Sequence, residues 1–199
     1  MDATRSIGRR RGLQVLGIFG LAAVGLSGGA TSLALFTSSA SVDSNSFTTG
    51  TVTIGTSPTT ALVTFSNMAP GDQVTAPITV SNSGSLALRY ALSSVATNTD
   101  SKGLKDQLVL TIRSGVTTCT NAAYAVDGTQ LYGGDLDSSA GKLVGDSTTG
   151  ADTGDRTLAA SASEALCFHV SLPGASGNAF QDSTTTATLT FDAEQTKNN

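Results

Sequence analysis

From Thr51 onward, apolar residues recur at every second position in runs too short to make a helix face. Thr51-Val52-Thr53-Ile54 and Leu62-Val63-Thr64-Phe65 alternate. Val74, Ile78 and Val80 share one side of an extended segment, and Leu86, Leu88, Tyr90 and Leu92 keep a period of two with Arg89 facing the other way. Leu108–Arg113 reads as a strand. Leu166, Phe168, Val170 and Leu172 alternate against Cys167 and His169, and a last strand over Thr184–Ala193 sets Ala187, Leu189 and Phe191 against Thr186, Thr188 and Thr190. Successive strand residues point to opposite faces, so this is the pattern of half-buried strands. Turn chemistry separates them at Pro70-Gly71-Asp72, Asn82-Ser83-Gly84-Ser85 and Pro173-Gly174. Asp100–Gln107 fits a single helical turn with Asp100 as its cap. Residues 114–157, rich in Gly, Ser and Asp, predict long loops with a short hairpin, anchored at Leu131-Tyr132 and Leu143-Val144. About eight short strands with no helix to cover them predict one all-β domain, an antiparallel jelly-roll β-sandwich.

The N-terminus is of another kind. Arg5, Arg9, Arg10 and Arg11 precede an uncharged apolar stretch, Gly12–Leu26, which softens into Ser27-Gly28-Gly29-Ala30-Thr31-Ser32. Charge, then apolar run, then small residues is the order of a helical signal peptide. Ser32-Leu33-Ala34 places small side chains at −3 and −1, so residues 1–34 are read as the signal, cut between Ala34 and Leu35. Ser38-Ser39-Ala40 is a second candidate further from the apolar run. An uncleaved anchor is the alternative, but the strongly apolar part is short of the ~18 residues a spanning helix needs. The mature form is therefore expected not to span a membrane. The rest divides into an extended segment, 35–46, a sandwich domain, 47–195, and a polar tail, 196–199.

Cleavage removes four Arg and one Asp, taking Lys plus Arg from 11 to 7 and Asp plus Glu from 15 to 14, so the formal charge moves from −4 to −7. No Lys/Arg cluster follows Arg11, and an acidic chain repels phosphate, so nucleic acid is not an expected partner. Both cysteines, Cys119 and Cys167, lie in the mature part. In an oxidising compartment two cysteines most simply form one disulfide; two buried free thiols are the alternative.

Several stretches are familiar in their order. Ala34-Leu35-Phe36-Thr37-Ser38 follows the signal, then come Ser46-Phe47-Thr48-Thr49-Gly50-Thr51-Val52-Thr53-Ile54, Asn67-Met68-Ala69-Pro70-Gly71-Asp72 and Val80-Ser81-Asn82-Ser83-Gly84-Ser85-Leu86. Together they resemble the TasA/camelysin family of secreted bacterial proteins. Gly154–Ala160, Leu166-Cys167-Phe168 and Phe191–Thr196 are similar to its actinobacterial members. The resemblance implies a jelly-roll fold, export through a dedicated (SipW-type) signal peptidase and a place at the cell surface or in a biofilm matrix. It also implies self-assembly into fibres, with the N-terminal segment of one subunit completing the sheet of the next. That role would fall within Leu35–Ile54, with Phe36 and Phe47 as anchors. Phe47–Ile54 reads more simply as the first strand of its own domain, and the Ser-rich Leu35–Asn45 fits a donor strand and plain disorder equally.

Camelysins are also catalogued as metallopeptidases. A zinc peptidase needs two or three His or carboxylate ligands and a general base, commonly His-Glu-x-x-His on a helix. The chain has one histidine, His169, expected at a surface or edge, and two glutamates, Glu164 and Glu194. No three-ligand zinc site follows from the spacing, and no Gly-x-Ser-x-Gly elbow is present. Asp135, Asp137, Asp146, Asp152 and Asp155 sit in Gly-rich loops that could offer oxygens to calcium, but none matches an EF-hand, and they read as solvated surface. No catalytic, cofactor or metal residues are assigned. The expected function is a non-catalytic structural protein whose partner is itself. A camelysin-type peptidase and a monomeric adhesin or binding module are the rivals.

Overall fold

The computed structural model describes residues 48–59, 68–137 and 141–197. The signal peptide, the Ala34/Leu35 cut, the segment 35–46, Phe36, Phe47 and the expected strand at Leu62–Phe65 lie outside the described residues. Ser46–Asn199 is a compact unit of its own.

The described residues form nine strands in two antiparallel sheets. Sheet one runs β1 (Ile54–Ser57), β2 (Gln73–Asn82), β8 (Ser163–Ser171), β4 (Val109–Ser114) and β5 (Thr129–Gly134), in that spatial order. In sheet two, β3 (Leu88–Ala96) is central. The edge strand β9 (Ala187–Gln195) pairs along its whole length, and β6 (Lys142–Val144) and β7 (Arg156–Leu158) lie end to end on its other side. The period of two is obeyed. Leu88, Tyr90 and Leu92 of β3 share one buried cluster with Ile78 and Val80 of β2, Leu110 and Ile112 of β4, and Leu166, Phe168 and Val170 of β8. Burying each such side chain is worth about 1.5–3 kcal/mol, and the cluster holds the layers together.

Pro77 stands in β2, yet costs little. It pairs with Cys167 on the β8 side, while β1 reaches β2 only from Thr79 to Asn82. A proline that lacks a neighbour on one side forfeits no ladder bond there.

Four expectations are corrected. The first strand is β1, Ile54–Ser57, and not Phe47–Ile54: residues 48–53 carry no strand and Val52 is exposed, because the Thr51 and Thr53 carbonyls accept from the 83–86 turn instead. Residues 114–157 carry more order than loops: β5, β6 and the start of β7 lie there, with Leu131-Tyr132 and Leu143-Val144 inside strands as anchors. Two of these strands are three residues long, too short to show a period, and exist because β3 offers them a ladder. Asp100 does not cap the helical turn. The turn, α1 (Leu104–Gln107), is entered through Gly103 at φ 71° with no side-chain cap, a left-handed conformation that favours glycine. Asp100 instead accepts from the backbone N–H of Lys102 (3.0 Å) and of Thr184 (2.7 Å), joining that segment to the approach of β9. His169 is buried, because the segment between β4 and β5 lies over it.

Asn82 closes one end of the sandwich. Its Nδ2 donates to the carbonyls of Leu86 (2.8 Å), Ala159 (3.0 Å) and Leu158 (3.3 Å), and its Oδ1 accepts from Gly84 N–H (2.9 Å). One amide thus ties β2, the following turn and β7. The turn is packed so closely that a Cβ on Gly84 would stand 2.3 Å from the Thr51 carbonyl oxygen. Asn82→Ala leaves buried carbonyls unpaired and should cost about 2–3 kcal/mol of unfolding free energy by urea titration. Asn82→Asp should cost at least as much, since it trades two donors for charge.

Candidate functional site

The outer face of sheet one carries the only histidine and one of the two cysteines. Cys167 and His169 alternate outward on β8, with Thr75 of β2 and Thr111 of β4 directly beside His169. Left bare, they would face water. The segment between β4 and β5 folds over them instead. Cys119 is bonded to Cys167 across a Cα–Cα distance of 5.5 Å, confirming the expected disulfide. The Tyr124 ring stacks on the imidazole, centroids 3.6 Å apart and planes 7° from parallel. His169 is left 3% exposed. Its Nε2–H donates to Gln73 Oε1 at 2.9 Å, so Nδ1 carries the lone pair, and that buried atom has no hydrogen-bond partner. Burial pushes its pKa below the ordinary histidine value, so the neutral ring is the resident form.

Both glutamates are engaged by arginines. Glu164 accepts from the Tyr90 hydroxyl (2.6 Å) and pairs with Arg156 (2.5 Å), a polar bridge from β8 of one sheet to β3 and β7 of the other. Burial, and then the Glu164 carboxylate, drives the Tyr90 phenol well above its ordinary pKa, so it acts only as a donor. Glu194 lies 3.2 Å from Arg89 Nε, a close charge pair without hydrogen-bond geometry, and accepts from Gly150 N–H at 3.0 Å.

That last bond holds the 145–155 loop over the outer face of sheet two, where Arg89 and Ala91 are buried although they point away from the core. The loop's own acids organise it. Asp155 accepts from the N–H groups of Asp146 and Asp152, both at 3.0 Å, and Asp152 accepts from the Thr148 hydroxyl at 2.7 Å. Asp146 pairs with Lys142, and Asp137 with Lys105 at 2.9 Å. A cleft of about 270 Å³ lies beside this loop, lined by Arg89, Asp146, Asp155, Asp192 and Glu194 among others.

Among the described residues, no group of three or more His, Cys, Asp or Glu side chains is placed to hold a metal ion. The remaining residues of the chain add only Asp2 and Asp43 to the supply of such ligands. His169 is enclosed, the cysteines are bonded to each other, and the glutamates serve arginines. The donor set does not fit a peptidase zinc centre.

The family model described as camelysin metallo-endopeptidase matches residues 10–199. The chain belongs to the TasA/camelysin family. No curated protein matches the sequence. The match covers the motifs at Asn67–Asp72 and Val80–Leu86 from which the family was read, and the fold gives the second of these a reason in the Asn82 junction. Among the described residues, no helix is long and apolar enough to cross a membrane. Two features went unread in the sequence: the Tyr124 cover and the Arg pairing of both glutamates. Glu164 and Arg156 are eight apart on different strands, and no local spacing marks Tyr124 as a partner of His169.

Proposed function

We propose that this family member is a secreted, non-catalytic structural protein of the cell surface or extracellular matrix, assembling with copies of itself by strand complementation. A signal peptidase would remove residues 1–34, freeing 35–46 to act as the donor. The observation that carries this reading is β9, a nine-residue strand whose ladder, among the described residues, is to β3 alone. A strand of that length with one open side offers main-chain groups and alternate side-chain positions to an added segment. Phe36 is the large apolar side chain of that segment to fill such a position.

The activity in the family's description supports a second reading, a metallo-endopeptidase. The ligand inventory weighs against it, since His169, both cysteines and both glutamates already have structural tasks.

The test compares residues 35–199 with a chain beginning at Phe47, by light scattering and electron microscopy after concentration. Fibres from the longer form alone are the expected outcome. Monomers from both would overturn assembly through this segment and favour a binding module, and chelator-sensitive proteolysis by the mature chain would overturn the non-catalytic reading.

A further inference from the structure

The cover over His169 is held in two ways that differ in kind. At Cys119 the attachment is covalent. Around Tyr124 it is a ring stack on an imidazole, supported by the Asn121 amide donating to the Gln73 carbonyl at 3.0 Å. The base of the cover is fixed by Arg113, which donates to the carbonyls of Asp127 (3.1 Å) and Gly128 (3.0 Å), and by the Asp127 carboxylate on Thr117 N–H. Only the stack depends on a group that changes charge near neutral pH.

The surroundings favour one protonation state. β2 presents Gln73 and Thr75 to the ring, and β4 presents Thr111 and, next along the same face, the cation Arg113. The cover presents Tyr124, the bonded Cys119 and, at its base, Asp127, whose carboxylate faces Thr117. No carboxylate is hydrogen-bonded to the imidazole. A proton on Nδ1 would put a charge and a second buried donor on an atom that has no hydrogen-bond partner in the closed form, and such a group costs its full desolvation. Opening the cover lets water take that proton's hydrogen bond.

We infer that residues 120–127 form an acid-released latch: protonation of His169 lifts Tyr124 from the imidazole and exposes the Thr75–His169–Thr111 strip of sheet one, while the Cys119–Cys167 bond keeps the segment tethered. The sign follows from linkage. The closed form binds fewer protons than the open form, so closure is at full strength above the ordinary histidine value of about 6.5 and weakens as pH falls through and below it. Where opening takes up one proton, the opening equilibrium rises about tenfold for each unit by which the pH falls. The tether limits the event to this segment, so the rest of the sandwich stays closed.

Because the chain has a single histidine, one imidazole resonance reports the titration. The experiment is an NMR titration of the oxidised mature chain from pH 8 to 4, following the imidazole signal, the Tyr124 ring signals and amide exchange over residues 120–127. Expected is an imidazole midpoint below that of an exposed histidine, with the Tyr124 signals and the exchange rates moving in the same interval, exchange by about tenfold or more beyond its intrinsic pH dependence. His169→Gln should hold the cover protected at both ends of the range. Tyr124→Ala, which removes the stack and leaves the core untouched, should bring the imidazole midpoint back toward the ordinary value. The proposal is overturned if His169 titrates while the Tyr124 signals and exchange stay constant, or if His169→Gln opens in acid as the parent does.

Discussion

Phe168→Ala should lower the unfolding free energy by about 4 kcal/mol, the usual result of emptying a large aromatic site in a core that cannot collapse around the gap. Phe168 is 1% exposed on β8, the middle strand of sheet one, with Ala76 and Ile112 as its ladder neighbours on either side. Both flanking strands are held in register by β8, so the backbone around the vacancy has little freedom to close in. In urea the midpoint should fall by roughly 2 M if m is about 2 kcal/mol/M. Val126, 80% exposed at the cover, is the matched control, and its change to Ala should stay within about 0.5 kcal/mol. A Phe168→Ala loss no larger than the control would mean that the two layers are not packed as described.

Replacing both cysteines by alanine should cost a similar amount through a different state of the chain. Cys119 and Cys167 close a loop with a sequence separation of 48, and in the chain-entropy model a loop of that size is worth about 4 kcal/mol, most of it withheld from the unfolded ensemble. The paired change avoids leaving a single thiol under the cover. A dithiol reductant should bring the parent protein down by a like amount, since it turns the bond into two thiols while the dithiol itself becomes a disulfide. The same treatment should leave the double variant unmoved. A loss under about 1 kcal/mol would show that the unfolded chain already holds residues 119 and 167 close together.

The sequence carried the two layers because they rest on a short-range rule. Alternation at Leu88–Leu92 and Leu166–Leu172 needs no knowledge of partners, only that one side of each strand is apolar, and both runs became buried strand faces. The family, too, was legible from the order of its motifs. What was not legible depends on long-range closure. Arg89 and His169 lie on outward positions that ordinarily meet water, and each is buried because a segment distant in the chain folds over it. Cys167 held the one hint, since an outward cysteine bonded to residue 119 requires some segment to lie over that face. The acids of 146–155 looked like solvent-facing charge and proved instead to accept the loop's own N–H groups, a use that depends on backbone direction rather than residue type.

The strand order also decides when this chain can fold. β8 is the bridge between β2 and β4, so sheet one has no middle until residue 171 is available. Sheet two waits still longer, because β3 meets its full-length neighbour only with the arrival of 187–195. A polypeptide delivered N-terminus first, by ribosome or translocon, therefore emerges with β2 and β4 lacking β8 and with β3 lacking β9, and must stay soluble until nearly all of it is out. Folding is set to begin at the C-terminal end of delivery, and a truncation before residue 187 should yield an aggregation-prone chain rather than a smaller domain.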